Sequence, residues 1–275
     1  MRQLKVFTLL IVCFFYTVVS LNAADIEDGL WLYLPMNEGN GENVLDHGPH
    51  KFETEFRPEP PVWVDAGHSK IDNALEFDGK ATYLKIDMAS QGNDIDSLVD
   101  EDKGITICAW VKVLAIATDA HNQTRQPIVI KGFHNVWEFG LLIYDDNGAG
   151  LSVWNCAGEG VAETSRPGSA PQATWFHQCG PFKLGVGSRV YINANESPVA
   201  QTADNGKIPC ETGTRPVIIA HREDGQYLNA IIAEVYMWDR VLDIDEMELA
   251  MNSFGTLSVK PGGKLTTSWG HIKKR

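Results

Sequence analysis

Residues 105–112 read Ile105-Thr106-Ile107-Cys108-Ala109-Trp110-Val111-Lys112, and their alternation decides the fold. Ile105, Ile107, Ala109 and Val111 fall on one side of an extended chain, with Thr106, Cys108, Trp110 and Lys112 on the other. A repeat of two marks a strand with one face buried, whereas a helix repeats roughly every 3.6 residues. Short apolar or alternating runs recur outward from it at 30–34, 74–77, 83–86, 128–130 and 136–144, then at 151–156, 174–179, 188–193, 217–220 and 230–238. Asn40-Gly41, Asp78-Gly79, Asn147-Gly148, Asn205-Gly206 and Asp224-Gly225 punctuate them. Such pairs suit tight turns because both residues tolerate a positive φ. Many short strands without alternating helices predict an all-β, antiparallel sandwich. One short C-terminal helix is predicted, with Asp243 capping a turn that holds Asp245, Glu246 and Glu248, and Ile244, Met247 and Met251 on one face.

The ends of the chain read differently. Arg2 and Lys5 precede an apolar run to Val19, and Ala23 and Ala24 offer a small-residue cleavage point, so residues 1–23 read as a signal peptide. The run is shorter than the about 20 residues a membrane span needs, and no later segment is long and apolar enough to span. Residues 24–256 form the expected domain, and 257–275 a basic flexible tail. The whole chain carries −13. Without the signal and tail, 16 cations face 36 acids, a net −20. That charge excludes a nucleic-acid binder, which needs cations to displace counterions from phosphate. Export would place Cys108, Cys156, Cys179 and Cys210 in an oxidising compartment, where an even number predicts two disulfides. Cys156 and Cys179, on successive predicted strands, are the expected pair, leaving Cys108 with Cys210; all three connectivities stay open.

The ordered segments carry a resemblance. They include Gly29-Leu30-Trp31-Leu32-Tyr33-Leu34-Pro35-Met36-Asn37-Glu38-Gly39, Ala74-Leu75-Glu76-Phe77-Asp78-Gly79, the 105–112 strand, Thr174-Trp175-Phe176-His177, and Ile232-Ala233-Glu234-Val235-Tyr236-Met237-Trp238. In this order and spacing the chain resembles the laminin-G-like, concanavalin A-like jelly-roll domains. The resemblance implies a jelly-roll sandwich, a fold that hosts lectins, adhesion modules and glycanases alike. It also implies a structural Ca²⁺ between early loops and the closing strand, with Glu38, Asp46 or Asp78 as ligands. The family often has an acid just before the closing-strand Glu, where this chain has Ala233.

Each chemistry makes its own demand. A glycoside hydrolase needs two carboxylates roughly 5–10 Å apart on one face. No Glu-x-Asp-x-Glu run occurs on a predicted strand; 136–144 offers only Glu138, and 151–156 no acid. His134, His177 and His221 have no Ser or Cys in a nucleophile elbow. The cluster Asp94, Asp96, Asp100, Glu101 and Asp102 matches a calcium loop only at Asp94-x-Asp96, and reads as a solvated loop. Aromatics fit better. Eight Trp and seven Tyr give flat apolar faces with polar tips, which stack on sugar rings or anchor a protein. Trp31, Trp110, Trp175 and Trp238 lie inside family-like strands and read as packing. Trp154 sits opposite Leu151 and Val153, near Trp137 and Tyr144. His134 and Asn135 precede Trp137, and Arg222 and Tyr227 occupy a hairpin-like loop. The sequence thus predicts a secreted, non-enzymatic module for a glycan at the cell surface or outside it. An adhesion or protein-interaction module without sugar specificity is the alternative.

Overall fold

The computed structural model describes residues 26–58, 62–87, 95, 97–116, 124–133, 136–211, 213 and 215–253. Within them the strands run β1 (Leu30–Leu34), β2 (Thr54–Arg57), β3 (Val62–His68), β4 (Ile71–Asp78), β5 (Tyr83–Ile86) and β6 (Ile105–Ala115). Next come β7 (Arg125–Phe133), β8 (Val136–Tyr144), β9 (Ala149–Trp154), β10 (Gly160–Arg166), β11 (Phe176–Lys183) and β12 (Gly187–Ile192). The last are β13 (Ala200–Thr202), β14 (Val217–Ile219), β15 (His221–Arg222), β16 (Gln226–Tyr227) and β17 (Asn229–Trp238), followed by helix α1 (Ile244–Asn252).

Two antiparallel sheets form the expected sandwich. One has eight strands in the order β13-β12-β11-β6-β17-β4-β3, with β1 also on β17; the other has seven, in the order β10-β9-β8-β7-β14-β5-β2. β6 runs along the whole of β17, while the other edge of β17 is shared. Residues Asn229 to Ile232 pair with β4, and Val235 to Trp238 with β1. The exchange falls at Glu234, which has φ 49° and donates its N–H to Pro35 O at 3.2 Å. Ile107, Ala109 and Val111 point inward as their alternation predicts, and meet Val129, Phe139, Leu141, Val153 and Phe176 in the common core.

The two outer faces differ. On the eight-stranded sheet, α1 lays Met247 and Ala250 over Tyr33, Tyr236, Trp238, Cys108 and Cys179. A capping box holds its start, with Glu246 N donating to Asp243 Oδ1 and Asp243 N to Glu246 Oε2, both at 2.9 Å. On the seven-stranded sheet, no helix among the described residues covers the outer face. That face carries Ile130, Leu142, Trp154 and Ile218, with Tyr83, Trp137 and Tyr144 partly buried against them. No helix among the described residues is long and apolar enough to cross a membrane.

The disulfides are Cys108–Cys179 and Cys156–Cys210, which corrects the expected pairing of Cys156 with Cys179 and Cys108 with Cys210. The reason is strand order. β11 lies beside β6 and sets Cys179 directly across from Cys108. Cys156 follows β9, and Cys210 reaches it because Cys210 N donates to Trp154 O at 2.8 Å. Non-reducing peptide mapping is expected to recover 108–179 and 156–210 cross-linked peptides, and a 156–179 peptide would contradict the strand order.

His177 packs beside the first disulfide with Nδ1 3.7 Å from Cys179 Sγ, and is fully buried. Burial pulls its pKa down to about 3. Between about 6.5 and 3 the unfolded chain binds a proton that the native state refuses, so stability falls as the pH drops through that window. Urea unfolding is expected to show His177 removing about 2 kcal/mol between pH 7 and pH 5. His177→Leu should flatten that part of the slope.

Candidate functional site

The outer face of the seven-stranded sheet is organised by a break in alternation along β8. Phe139, Leu141 and Ile143 point into the core. Simple parity would send Trp137 the same way. The register instead runs Lys131 opposite Phe139 and then Gly132 opposite Trp137, so Glu138 is an extra residue in β8 and the strand bulges. Past the bulge, Trp137 lies on the outer face with Ile130, Leu142, Trp154, Ile218, Tyr83 and Tyr144. Gly132 permits this. It has φ 130°, and a Cβ there would meet Trp137 Cα at 2.5 Å. Glu138 is fully buried, with Oε1 accepting from Lys131 Nζ at 2.5 Å. The acid that the sequence offers on this strand is thus tied to a lysine in the interior, out of reach of substrate.

Trp154 forms the floor. It is 2% exposed, its Nε1 donates to Glu163 Oε1 at 2.7 Å, and Arg125 Nη1 reaches the same oxygen at 3.0 Å. The half-buried Trp137 ring leans over it, with centroids 6.2 Å apart. Tyr144 rests on Gly150, where any Cβ would strike its ring, and its hydroxyl lies 2.9 Å from Ser152 Oγ. Burial raises the Tyr144 pKa.

A hairpin closes one side. Ala220, at φ 67°, turns the chain out of β14 into β15, which pairs with β16 so that His221 faces Tyr227 and Arg222 faces Gln226. Arg222 Cζ lies 4.5 Å from the centre of the Trp137 ring, a cation–π contact. Its Nε and Nη2 grip Asp224 at 2.8 and 2.6 Å. Burial pushes the Asp224 carboxyl upward, but this guanidinium and Gln226 more than offset it and hold its pKa below the usual range. His221 sits between Tyr83 at 4.7 Å and Tyr227 at 4.1 Å, the latter nearly parallel. Burial draws the His221 pKa down to about 4, against the pull of Asp224. Both its ring nitrogens are buried without a hydrogen-bond partner. Each such orphan costs about 1–3 kcal/mol.

The structure therefore brings together Trp137, Tyr144, Trp154, Arg222 and Tyr227, all singled out from the sequence. Trp154 is corrected in one respect: it faces away from Leu151 and Val153 as read, but it supports the surface and offers almost none itself. His134 and Asn135 lie outside the described residues, as do Asp94, Asp96, the signal segment and the tail. Tyr83, Arg125, Glu163 and His221 were missed as site residues. Tyr83 arrives from a strand distant in sequence, and no motif marks Arg125, Glu163 or His221, whose roles depend on which strands become neighbours.

The acids expected for Ca²⁺, Asp46, Asp78 and Glu38, each accept hydrogen bonds from the chain's own groups. Asp46 Oδ1 accepts from Tyr33 N and Gly48 N, and its Oδ2 from Phe52 N, all within 3.0 Å. Asp78 Oδ1 accepts from the N–H groups of Lys80, Ala81 and Thr82 and from the Thr82 hydroxyl, which together pull its pKa down to about 2 against a desolvation penalty. Glu38 Oε1 accepts from Leu45 N at 2.8 Å. These carboxylates pin backbone turns. Among the described residues the metal-sized cluster is Cys108, His177 and Cys179, whose sulfurs are bonded to each other. A depression of about 620 Å³ is lined by Asn43 to His47 and Lys51 to Thr54, with Phe52 its one aromatic carbocycle and none of the Trp or Tyr of the other face. A flat ring face suits stacking better than that hollow.

The chain belongs to the concanavalin A-like lectin/glucanases superfamily, whose laminin-G model matches residues 78–247. No curated protein matches it. Among solved structures it is similar to the binding domain of botulinum neurotoxin DC in complex with SialylT, with TM-score 0.61 and 13% identity over 84% of this chain and 53% of that one. It is similar also to a botulinum neurotoxin type C structure concerned with cell entry through two ganglioside molecules, with TM-score 0.60 and 14% identity over 84% and 53%. A third is the neurotoxin DC binding domain with rat synaptotagmin II, with TM-score 0.60 and 12% identity over 83% and 52%. The chain spans about half the length of these structures. At such identity the likeness is one of fold.

Glu163 is expected to matter more than an exposed acid nearby. Glu163→Ala strands the Trp154 N–H and Arg125 and should lower stability by about 1–3 kcal/mol in urea unfolding. Glu159→Ala, which removes an exposed pair with Lys207, should lower it by much less.

Proposed function

We propose that the protein is an exported, non-catalytic binding module whose aromatic face takes a glycan. One observation carries the reading: Trp137 stands partly exposed on an outer sheet face, braced by Trp154 beside it and Arg222 against its ring. A braced indole loses little freedom on binding, so its stacking on the apolar face of a sugar goes largely into affinity. The half-buried Tyr144 and Tyr227 add amphipathic rim. Glu163 and Asp224 on this face are each tied to a guanidinium, and Glu138 to Lys131, which supports binding over acid–base chemistry. Similar structures that are themselves binding domains, in complex with SialylT or with rat synaptotagmin II, support the same reading. The signal-like segment and two disulfides support export.

A glycan array probed with the full chain should show binding that survives chelator. Trp137→Ala should reduce it about tenfold or more, the scale of losing an aromatic anchor. Silence across the array, with capture by an extracellular protein that is sensitive to the same substitution, would instead favour the protein-interaction module.

A further inference from the structure

Resting on that glycan reading, we infer that the face selects a neutral, hydroxyl-rich glycan over an acidic one, with His221 as a hydrogen-bonding contact. The first argument is charge. Arg222 is held by Asp224 through two hydrogen bonds, and Arg125 by Glu163, which also takes the Trp154 N–H. A carboxylate or sulfate on a ligand would compete with a carboxylate already seated on each guanidinium, in a domain whose body carries −20. A neutral sugar meets no such competitor.

The second argument is His221. The side chain is 8% exposed, and its two ring nitrogens have no partner, at the foot of the Tyr83 and Tyr227 rings. A neutral imidazole has one N–H donor and one acceptor nitrogen. A sugar hydroxyl can both donate and accept, so hydroxyl groups can satisfy either nitrogen in either tautomer. A carboxylate or sulfate only accepts; it could serve the donor and would leave the acceptor facing an anion. Tyr227 is half-buried and stacks on one face of the imidazole, and the nitrogens lie at the ring's edge, so a ligand hydroxyl reaches them only as the β15–β16 hairpin yields.

The test applies the full chain to three probe sets: neutral oligosaccharides, the same oligosaccharides sialylated, and sulfated or uronate-containing polymers. Neutral probes are expected to bind, and their sialylated forms at least tenfold more weakly. His221→Phe keeps an aromatic ring in the stack and removes both nitrogens. It should weaken neutral binding about tenfold while leaving the melting temperature unchanged or higher, a combination that a purely structural role would not produce. His221→Gln, which restores one donor and one acceptor, should bind within a few-fold of wild type and covers the case in which the Phe variant does not fold. Equal or stronger binding of acidic probes would overturn this inference and leave the glycan reading standing. Full neutral binding by either His221→Phe or a nitrogen-free His221→Leu would overturn the role of His221. No binding in any set would overturn the glycan reading itself.

Discussion

At the point where β8 breaks its alternation, the fully buried Lys131 and Glu138 bond each other, and the outer face of the seven-stranded sheet is arranged around that break. The extra residue lets Phe139 keep its place in the core while Trp137 turns outward. Without it, Trp137 and Tyr144 would project from opposite faces, seven residues apart on a strand of strict period two. A buried carboxylate is tolerable only with a partner, and removing one partner of such a pair typically costs about 3–5 kcal/mol. The ion pair and the partly exposed indole are thus linked. The same local irregularity that hides an acid also presents an aromatic.

The two sides of the sandwich have been put to different uses. α1 and the Tyr33–Tyr236–Trp238 stack close the outer face of the eight-stranded sheet, beside the Cys108–Cys179 bond. The opposite face keeps its aromatics with their polar tips paired inside the protein: Trp154 to Glu163, Tyr144 to Ser152, Arg222 to Asp224. Such pairing fixes ring positions before a ligand arrives and lowers the entropy lost on binding. It also leaves little bare charge. Structures of the same fold at 12–14% identity are binding domains, but the residues that would decide a ligand here are this chain's own.

Much of the fold was legible because it depends on local patterns. The alternation of 105–113 became β6, the Asp243 and Glu246 pair became a capping box, and the Asp224-Gly225 turn became the β15–β16 hairpin. What escaped depends on strand order. The disulfide partners could not be read because β11 neighbours β6, a choice made by the whole sheet. The burial of Trp154 comes from Trp137 and Glu163 on neighbouring strands, and no feature of 151–156 announces it. His221 was passed over as a catalytic candidate, and its place between Tyr83 and Tyr227 joins segments more than a hundred residues apart. The turn-capping roles of Asp46 and Asp78 were equally hidden, because the N–H groups they accept from are set by how the loops fold.

The central claim, that this aromatic face meets a glycan, is tested most directly by NMR of the chain labelled at its indole nitrogens and titrated with a neutral oligosaccharide. The Trp137 N–H resonance is predicted to move furthest, with a smaller shift at Trp154, while Trp31, Trp110 and Trp238 stay still. Shifts confined to those three, or an unmoved Trp137 under saturating ligand, would contradict the account.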